Sequence, residues 1–481
     1  MIYGKAELTK QELGQQQSLK PSKDGVALNR ALHGSLTGIA TFIKITNGHY
    51  HVLSRYEDDV WEFPVSELSM GTRSSNDNLN FTRIRSESMR AMAKWIIWNK
   101  KNEGNAISSL KKNLNNLASF FSWVNESDTL SVQGLNAFTA QAYVAHVNAK
   151  KHKRQGKLIS FTNGTKVYIL SALENIYWYC NAFDFVKEPP WFESSASEQA
   201  GHVGQGSQES RKKAKTPLIP DDVLYSLCDY TKGFLDQAIE LLDLKEKLGK
   251  FVATANDATS PVAQKRNYFQ SLSSRFDKLD EFNEALLLLR DSCIFWLLLT
   301  TGMRIHEILG IKRGAYRKES KDGETYYYIE SISDKTYTGL AEWIAPKIAV
   351  DAIKILERSS SSLQARLGVE LAQAKNNSDY AEVNRLEHIF GKVCLAHSMR
   401  TAKVGVLNTT SISTLRLPNL CAKINADWNL SSHQFRRTFA NYVVHSELGD
   451  LRALKDHFKH WSITMTALYA YNDDLDREIL D

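Results

Sequence analysis

The sequence predicts a mainly α-helical chain of several domains, with a small antiparallel sheet in its C-terminal half and a β-containing region at its N-terminus. Three observations carry that expectation. Apolar residues recur three and four apart through residues 84–190 and much of 218–481, the period of amphipathic helices. An Asp322-Gly323 pair leads into β-branched and aromatic residues, as a turn between strands does. A Ser-, Gly- and Gln-rich stretch over 191–217 has almost nothing to bury and reads as a flexible linker. At 481 residues the chain is too long for one core; about 150 residues per domain suggests two to four.

In chain order, residues 1–83 form an accessory region whose "TGIATFIKI" and "HYHVLSRY" flank Asn47-Gly48, a strong hairpin signal. His49 and His51 alternate there, but no third ligand stands near, so no metal is expected. Residues 84–190 hold four amphipathic stretches: "SMRAMAKWIIWNKK", "ISSLKKNLNNLASFFSWV", "NAFTAQAYVAHVNAKK" and "TKVYILSALENIYWYCNAF". Between the third and fourth, "KKHKRQGK" concentrates Lys150, Lys151, Lys153, Arg154 and Lys157, either a solvated face or a DNA contact. The linker ends on Arg211, Lys212, Lys213 and Lys215, which suits it to lie along a phosphate backbone.

Residues 218–481 open with a helix start at "PDDVLYSLCDY". The apolar "LLLLRDSCIFWLLLTTGM" is interrupted by Arg290 and Asp291 and reads as a buried helix, not a membrane span. After "LGIKRGAYRKES" come "TYYYIESI", "SDKTYTGL" and "AEWIAP", read as three strands; residues 356–390 look helical and charged.

Composition bounds the function loosely. With 43% hydrophobic and 24% charged residues the chain is of ordinary globular type, and a net charge of +6 permits a polyanionic partner without demanding one. Five scattered cysteines with no C-x-x-C pair argue against a disulfide framework and a zinc ribbon, and point to a reducing compartment. The N-terminus lacks the apolar core of a signal peptide, so a cytoplasmic protein, associated with the nucleoid when bound to DNA, is expected.

Four separated pieces of the last region carry residue types suited to attack on a phosphodiester. They are Arg304 in "TTGMRIHEILGI", Lys335 in "SDKTYTG", His433 and Arg436 in "SHQFRRTFANYVV", and His460 with Tyr469 in "KHWSITMTALYAY". Singly, each has a bland reading: Arg304 as a surface arginine paired with Glu307 or Glu330, Lys335 as one lysine among many, the His433–Arg436 helix as merely basic. His306-Glu307 is no zinc-protease helix, because Gly310 stands where the second histidine is needed.

In this order and wording the pieces resemble the tyrosine recombinase (phage integrase) family, whose pattern is Arg, Lys, His-x-x-Arg, His or Trp, and a Tyr nine residues later. The resemblance implies a helical core-binding domain over 84–190 and an α/β catalytic domain over 218–481. Position by position it makes Arg304 and Arg436 the phosphate-clamping arginines, Lys335 the hairpin lysine, His433 and His460 the two histidines, and Tyr469 the nucleophile. Departures are Lys459 in place of the usual Gly, Arg437 in place of His or Lys, and a long separation between Lys335 and His433, which leaves Lys312, Lys321 and Lys347 as fallbacks.

Physical chemistry agrees with those assignments. Two guanidiniums, always charged and fork-shaped, hold the non-bridging oxygens of a phosphorane better than lysines would. A free phenol, with a pKa near 10, needs their field and a base such as His433 to attack at neutral pH. The leaving 5′ oxygen needs a proton, which an ammonium can supply. No metal or other cofactor is expected, and no G-x-x-x-x-G-K-[ST] loop occurs. The implied partners are double-stranded DNA, a homotetramer assembled on it, and DNA-bending or element-encoded accessory proteins. The rival readings are a type IB topoisomerase or hairpin-forming resolvase, and an inactive DNA-binding protein of the same fold.

Overall fold

The structure, a computed structural model, describes residues 7–8 and 38–458 apart from 46–48, 72–77, 127–135, 155–156, 181–187, 202–215, 253–259, 322, 334–338, 399–400 and 447–450. They are mainly helical, with small antiparallel sheets. Two compact units result. Described residues within 1–68, 73–210 and 374–388 make the first, and those within 69–72, 211–373 and 389–481 the second.

In the first unit, β1 (Glu7–Leu8), β2 (Ile39–Lys44) and β3 (Tyr50–Arg55) form a sheet in the order β1-β3-β2, and β4 (Val60–Glu62) pairs with β5 (Asn78–Asn80). Helices α1 (Glu87–Asn102), α2 (Ile107–Asn125), α3 (Ala137–Ala149) and α4 (Asn163–Cys180) fall on the four amphipathic stretches. Helix α2 shows why: Leu110, Leu114, Leu117, Phe120, Phe121 and Val124 lie three or four apart and are buried as one stripe. Ser86 and Asn136 cap α1 and α3 by accepting the amides of Met89 and Thr139. Strands and helices share a core, in which Trp61 meets Phe81 edge to face at 4.8 Å and packs in one cluster with Ile96, Leu117 and Phe120.

The basic run is a hairpin of β6 (Lys151–Arg154) and β7 (Lys157–Ser160). Lys151 pairs with Ser160 and Lys153 with Leu158, and all four are exposed on one face. On the other face His152 stacks on Phe161 with ring centroids 4.9 Å apart. A lysine-rich run has little strand propensity, so composition alone did not announce this element.

The second unit holds α5 (Asp221–Asp236), α6 (Ala238–Gly249), α7 (Pro261–Leu272), α8 (Leu279–Thr301), α9 (Ile305–Leu309), β8 (Tyr316–Lys321), β9 (Glu324–Ser333), β10 (Gly339–Ala345) and α10 (Lys347–Ser359). It continues with α11 (Ser361–Asn376), whose last residues fall in the first unit together with nearly all of α12 (Tyr380–Ile389), and then with β11 (Leu395–His397), β12 (Val404–Val406), α13 (Leu417–Lys423), α14 (Ser432–His445) and α15 (Leu451–Phe458). Helix α8, apolar on nearly every side, is central and packs on α5, α10 and α14; Phe295 meets Phe435 edge to face at 5.3 Å. Its interrupting Asp291 is buried and accepts from Arg416 Nε at 2.7 Å and from Arg290, so the apparent break is an internal ion network.

A three-stranded sheet is present in the order β10-β9-β8, with a correction to its strands: "AEWIAP" falls largely on β10, and 334–338 of "SDKTYTGL" lie outside the described residues. The first strand is Tyr316–Lys321, ahead of the Asp322-Gly323 turn, and "TYYYIESI" is the middle one. Strand β8 is an exposed, charged edge with no alternation to read. The sheet turns Ile329, Ser331, Ser333, Trp343 and Ala345 inward, all buried.

Candidate active site

Helix α8 stops at Gly302, which takes a left-handed φ of 60°. A side chain there is excluded twice over, because a Cβ would lie 2.7 Å from ring atoms of both Phe439 and Phe458. The sharp stop leaves Met303 buried and Arg304 extended as the N-cap of α9.

The Glu307 side chain folds back over the start of that short helix onto Arg304. The Arg304 amide donates to Glu307 Oε2 at 2.7 Å, and its Nη1 donates to Oε1 at 2.9 Å. Ser333, the last residue of β9, donates to the same Oε1 at 2.8 Å, and Ser331 donates to the Glu307 carbonyl at 2.5 Å. Glu307 is fully buried and the Arg304 side chain only 9% exposed, so this is the Glu307 pairing foreseen in the bland reading, transferred from the surface to the interior. Burial alone would raise the Glu307 pKa. The charges of Arg304 and then Arg436, with the Arg304 amide bond, outweigh it and hold the carboxyl below its ordinary value.

Arg436 reaches the same place from α14, whose first turn Ser431 and Gln434 hold by a capping box. It is 1% exposed and donates from Nη1 to the Gly302 carbonyl at 2.8 Å, 134 positions earlier in the chain. Its Nη2 donates to the Phe458 carbonyl at 2.9 Å, and its Cζ sits 3.7 Å from the centroid of the Phe458 ring. His433, one turn earlier, is exposed. Helix α15 is fastened alongside by His457, whose Nε2 is 2.7 Å from the Thr301 carbonyl and whose ring stacks on Phe439.

Of the six expected catalytic residues, the structure places Arg304 on the Glu307 carboxylate and Arg436 on the Gly302 carbonyl two residues ahead of Arg304, with His433 on the same helix as Arg436. Lys335, His460 and Tyr469 lie outside the described residues, as do Arg211, Lys212, Lys213 and Lys215, and the Arg154 side chain. Lys150, Lys151, Lys153 and Lys157 are exposed in the first unit. Among the described residues no group of three His, Cys, Asp or Glu is placed to hold a metal, and no helix is long and apolar enough to cross a membrane.

Sequence reading named Glu307 only as a surface partner of Arg304 and missed the contribution of Ser331 and Ser333. The signal was present: two serines alternate on the inward face of a strand otherwise rich in Ile and Tyr, where a hydroxyl needs a partner.

No family model matches the sequence, and comparison with curated proteins gives no match. Comparison with solved structures does. A XerA recombinase is 15% identical with a TM-score of 0.27, over 81% of this chain and 96% of that one. A XerH site-specific recombinase in a post-cleavage complex with its difH substrate is 11% identical with a TM-score of 0.41, over 84% and 90%. The Tn1549 transposon integrase in complex with transposon right-end DNA is 12% identical with a TM-score of 0.41, over 81% and 97%. These overlays are too loose to carry any residue or role across, and the proteins they return are recombinases and an integrase, the class that the C-terminal motifs resemble.

Proposed function

We propose that the chain is a site-specific DNA recombinase or integrase of a mobile element, which cuts and rejoins strands through a covalent 3′-phosphotyrosine at Tyr469. The observation that carries this reading is that Arg436 bonds the Gly302 carbonyl, two residues ahead of Arg304, while Arg304 bonds the buried Glu307, so that two distant parts of the chain bring both guanidiniums to the end of α8. Two fixed positive charges around one buried carboxylate leave net positive charge, which suits a phosphorane.

Chain connectivity limits where two of the remaining residues, His460 and Lys335, can lie. Consecutive Cα atoms are about 3.8 Å apart, so the Cα of His460 stays within about 8 Å of that of Phe458, whose carbonyl Arg436 holds. In the same way Lys335 stays within about 8 Å of Ser333, which bonds Glu307. Lys321 pairs with Glu324 at the far end of β9 from Ser333, about 30 Å away at 3.3 Å per residue. That separation favours Lys335 over Lys321.

In the proposed reaction the Tyr469 oxygen attacks phosphorus as His433 accepts the phenolic proton, and the bond to the 5′ oxygen breaks as Lys335 protonates it. Arg304, Arg436 and His460 bind the non-bridging oxygens. The phosphotyrosine conserves the bond, and attack by a 5′ hydroxyl of another strand reverses each transfer without ATP. Strand exchange between two duplexes would assemble four protomers on DNA.

The test is incubation with a nicked suicide duplex carrying the DNA ends that flank the coding sequence. A covalent adduct is expected, lost in Tyr469→Phe with binding kept. Absence of adduct from the unaltered chain, with binding intact, points instead to an inactive DNA-binding protein, and relaxation of plasmid lacking a recombination site points to a topoisomerase.

A further inference from the structure

The last turn of α8 leaves carbonyls without a partner inside the helix, and two of them, on adjacent residues, are taken by side chains from other elements. Gly302 receives Nη1 of Arg436, from α14. Thr301 faces His457 of α15, whose Nε2 stands 2.7 Å from its carbonyl. A carbonyl only accepts, so Nε2 carries the proton and donates. Thr301 is itself fixed: it is fully buried, its hydroxyl donates to the Leu297 carbonyl at 2.5 Å, and the same hydroxyl accepts the Met303 amide at 3.2 Å.

The circuit closes through the residue after His457. Phe458 gives Arg436 its second acceptor at 2.9 Å, and the ring over which the guanidinium Cζ sits at 3.7 Å. The His457–Thr301 bond therefore joins the neighbours of both acceptors of Arg436, Thr301 beside Gly302 and His457 beside Phe458. The rings run the same way: His457 stacks on Phe439 at 5.2 Å and 18°, and Phe439, one turn after Arg436 on α14, lies 5.8 Å from Phe458. Helix α15 needs such a tie. It is eight residues long and buries Leu454 and Phe458 in a small cluster with Ala440, too little to hold a short helix in one place.

We infer that His457 is a positioning residue for Arg436. It fixes the spacing of the Gly302 and Phe458 carbonyls, and the planar guanidinium that spans them takes its pose from that spacing. This rests on the strand-transfer reading above. Without the imidazole donor the end of α15 loses its tie to α8, and the Phe458 carbonyl and ring no longer set the plane in which the fork meets a phosphate.

The test uses the full chain and has two readouts. The first is single-turnover adduct formation with the nicked suicide duplex at saturating DNA. Phe in place of His457 keeps a ring and removes the donor, whereas Gln keeps a donor at the same number of bonds from Cα. His457→Phe is expected to slow the rate by about tenfold to a hundredfold at unchanged DNA affinity, and His457→Gln to recover part of that loss. Lysine cannot span two carbonyls as a fork does, so in an Arg436→Lys background the added His457→Phe should cost less than about threefold. The second readout needs no activity. In the chain labelled with 15N-arginine, the two Nη groups of Arg436, assigned by their loss in Arg436→Lys, are expected to give separate signals, because a partner on each blocks their exchange by rotation. They should merge in His457→Phe and stay separate in His457→Gln. An equal fall in both backgrounds, a loss of affinity with an unchanged rate, or Nη signals that stay separate in His457→Phe overturns the inference. Where His457→Phe does not fold, His457→Asn, whose amide is one bond too short to reach Thr301, is read in its place. If the unaltered chain forms no adduct, the strand-transfer reading fails by itself, and the Nη signals decide whether His457 sets the pose of Arg436.

Discussion

Replacing Glu307 by Gln tests whether the two arginines depend on one buried carboxylate. The carboxylate accepts three hydrogen bonds, from the Arg304 amide, Arg304 Nη1 and Ser333 Oγ. A glutamine of the same shape offers one oxygen and one NH2 group, so it can satisfy the Oε1 pair only by pointing its NH2 at the Arg304 amide, donor against donor. One bond to a charged group is lost, about 1.5–3 kcal/mol, and the negative charge between two guanidiniums disappears. Removing one partner of a buried pair costs about 3–5 kcal/mol, and the surviving bonds place this case near the lower end, about 3 kcal/mol. For a unit of this size each kcal/mol lowers the melting midpoint by about 2–4 °C, so calorimetry of the full chain should show the transition of the second unit falling by about 6–12 °C. Because the native Glu307 pKa lies below its ordinary value of 4.5, its stabilisation is complete above the unfolded pKa and is lost as pH falls through the native one. The gap between the unaltered chain and Glu307→Gln should therefore be constant near neutrality and narrow in acid. A midpoint within about 1 °C of the unaltered chain at neutral pH, against the fall worked out above, or a gap that does not narrow in acid, would refute a charged carboxylate shared by the arginines.

Three further outcomes follow from the same geometry. Gly302→Ala places a Cβ against Phe439 and Phe458 in a left-handed conformation, and should cost about 3 kcal/mol in denaturant unfolding, far more than a surface change. Changing Lys151, Lys153 and Lys157 together to Ser should leave stability within about 0.5 kcal/mol while reducing the salt dependence of duplex binding. The slope falls by about 0.9 for each phosphate that is no longer neutralised, and an unchanged slope in fluorescence anisotropy removes the hairpin from the DNA surface. Lys335→Ala should slow cleavage of an ordinary strand but not of one whose leaving 5′ oxygen is replaced by sulfur, since a thiolate departs without an acid. Equal slowing of both substrates moves the proton donor to another residue.

The sequence was legible where physics is local. The stripe of α2, the turn signals and the Gly that stops α8 each speak through neighbours within a few positions, and the corresponding elements formed. It was silent where burial decides. An Arg and a Glu three apart read equally well as a surface pair, and only Ser333, 26 positions from Glu307, with Arg436 beyond it, makes Arg304–Glu307 an interior group. Likewise β8 and β6 are rich in charged residues, and β8 and β7 are largely exposed, so no buried face imposes an alternation to be read. The grip of Arg437 on Thr216 spans 221 positions, and neither residue advertises it.

On the proposed reading the Arg436 guanidinium has to exchange partners. Its Nη2 is held by the Phe458 carbonyl and its face by the Phe458 ring, so a phosphate oxygen that takes either place displaces that partner. A phosphate oxygen adds a full charge that the carbonyl lacks, which favours the exchange, while loss of the stack opposes it by about 0.5–2 kcal/mol. The Gly302 carbonyl is different. It belongs to the end of the central helix α8, packed on three sides, and keeps Nη1 aimed while Nη2 changes partner. The two hydrogen bonds of Arg436 thus divide the work: the one to Gly302 orients the guanidinium, and the one to Phe458 is exchangeable.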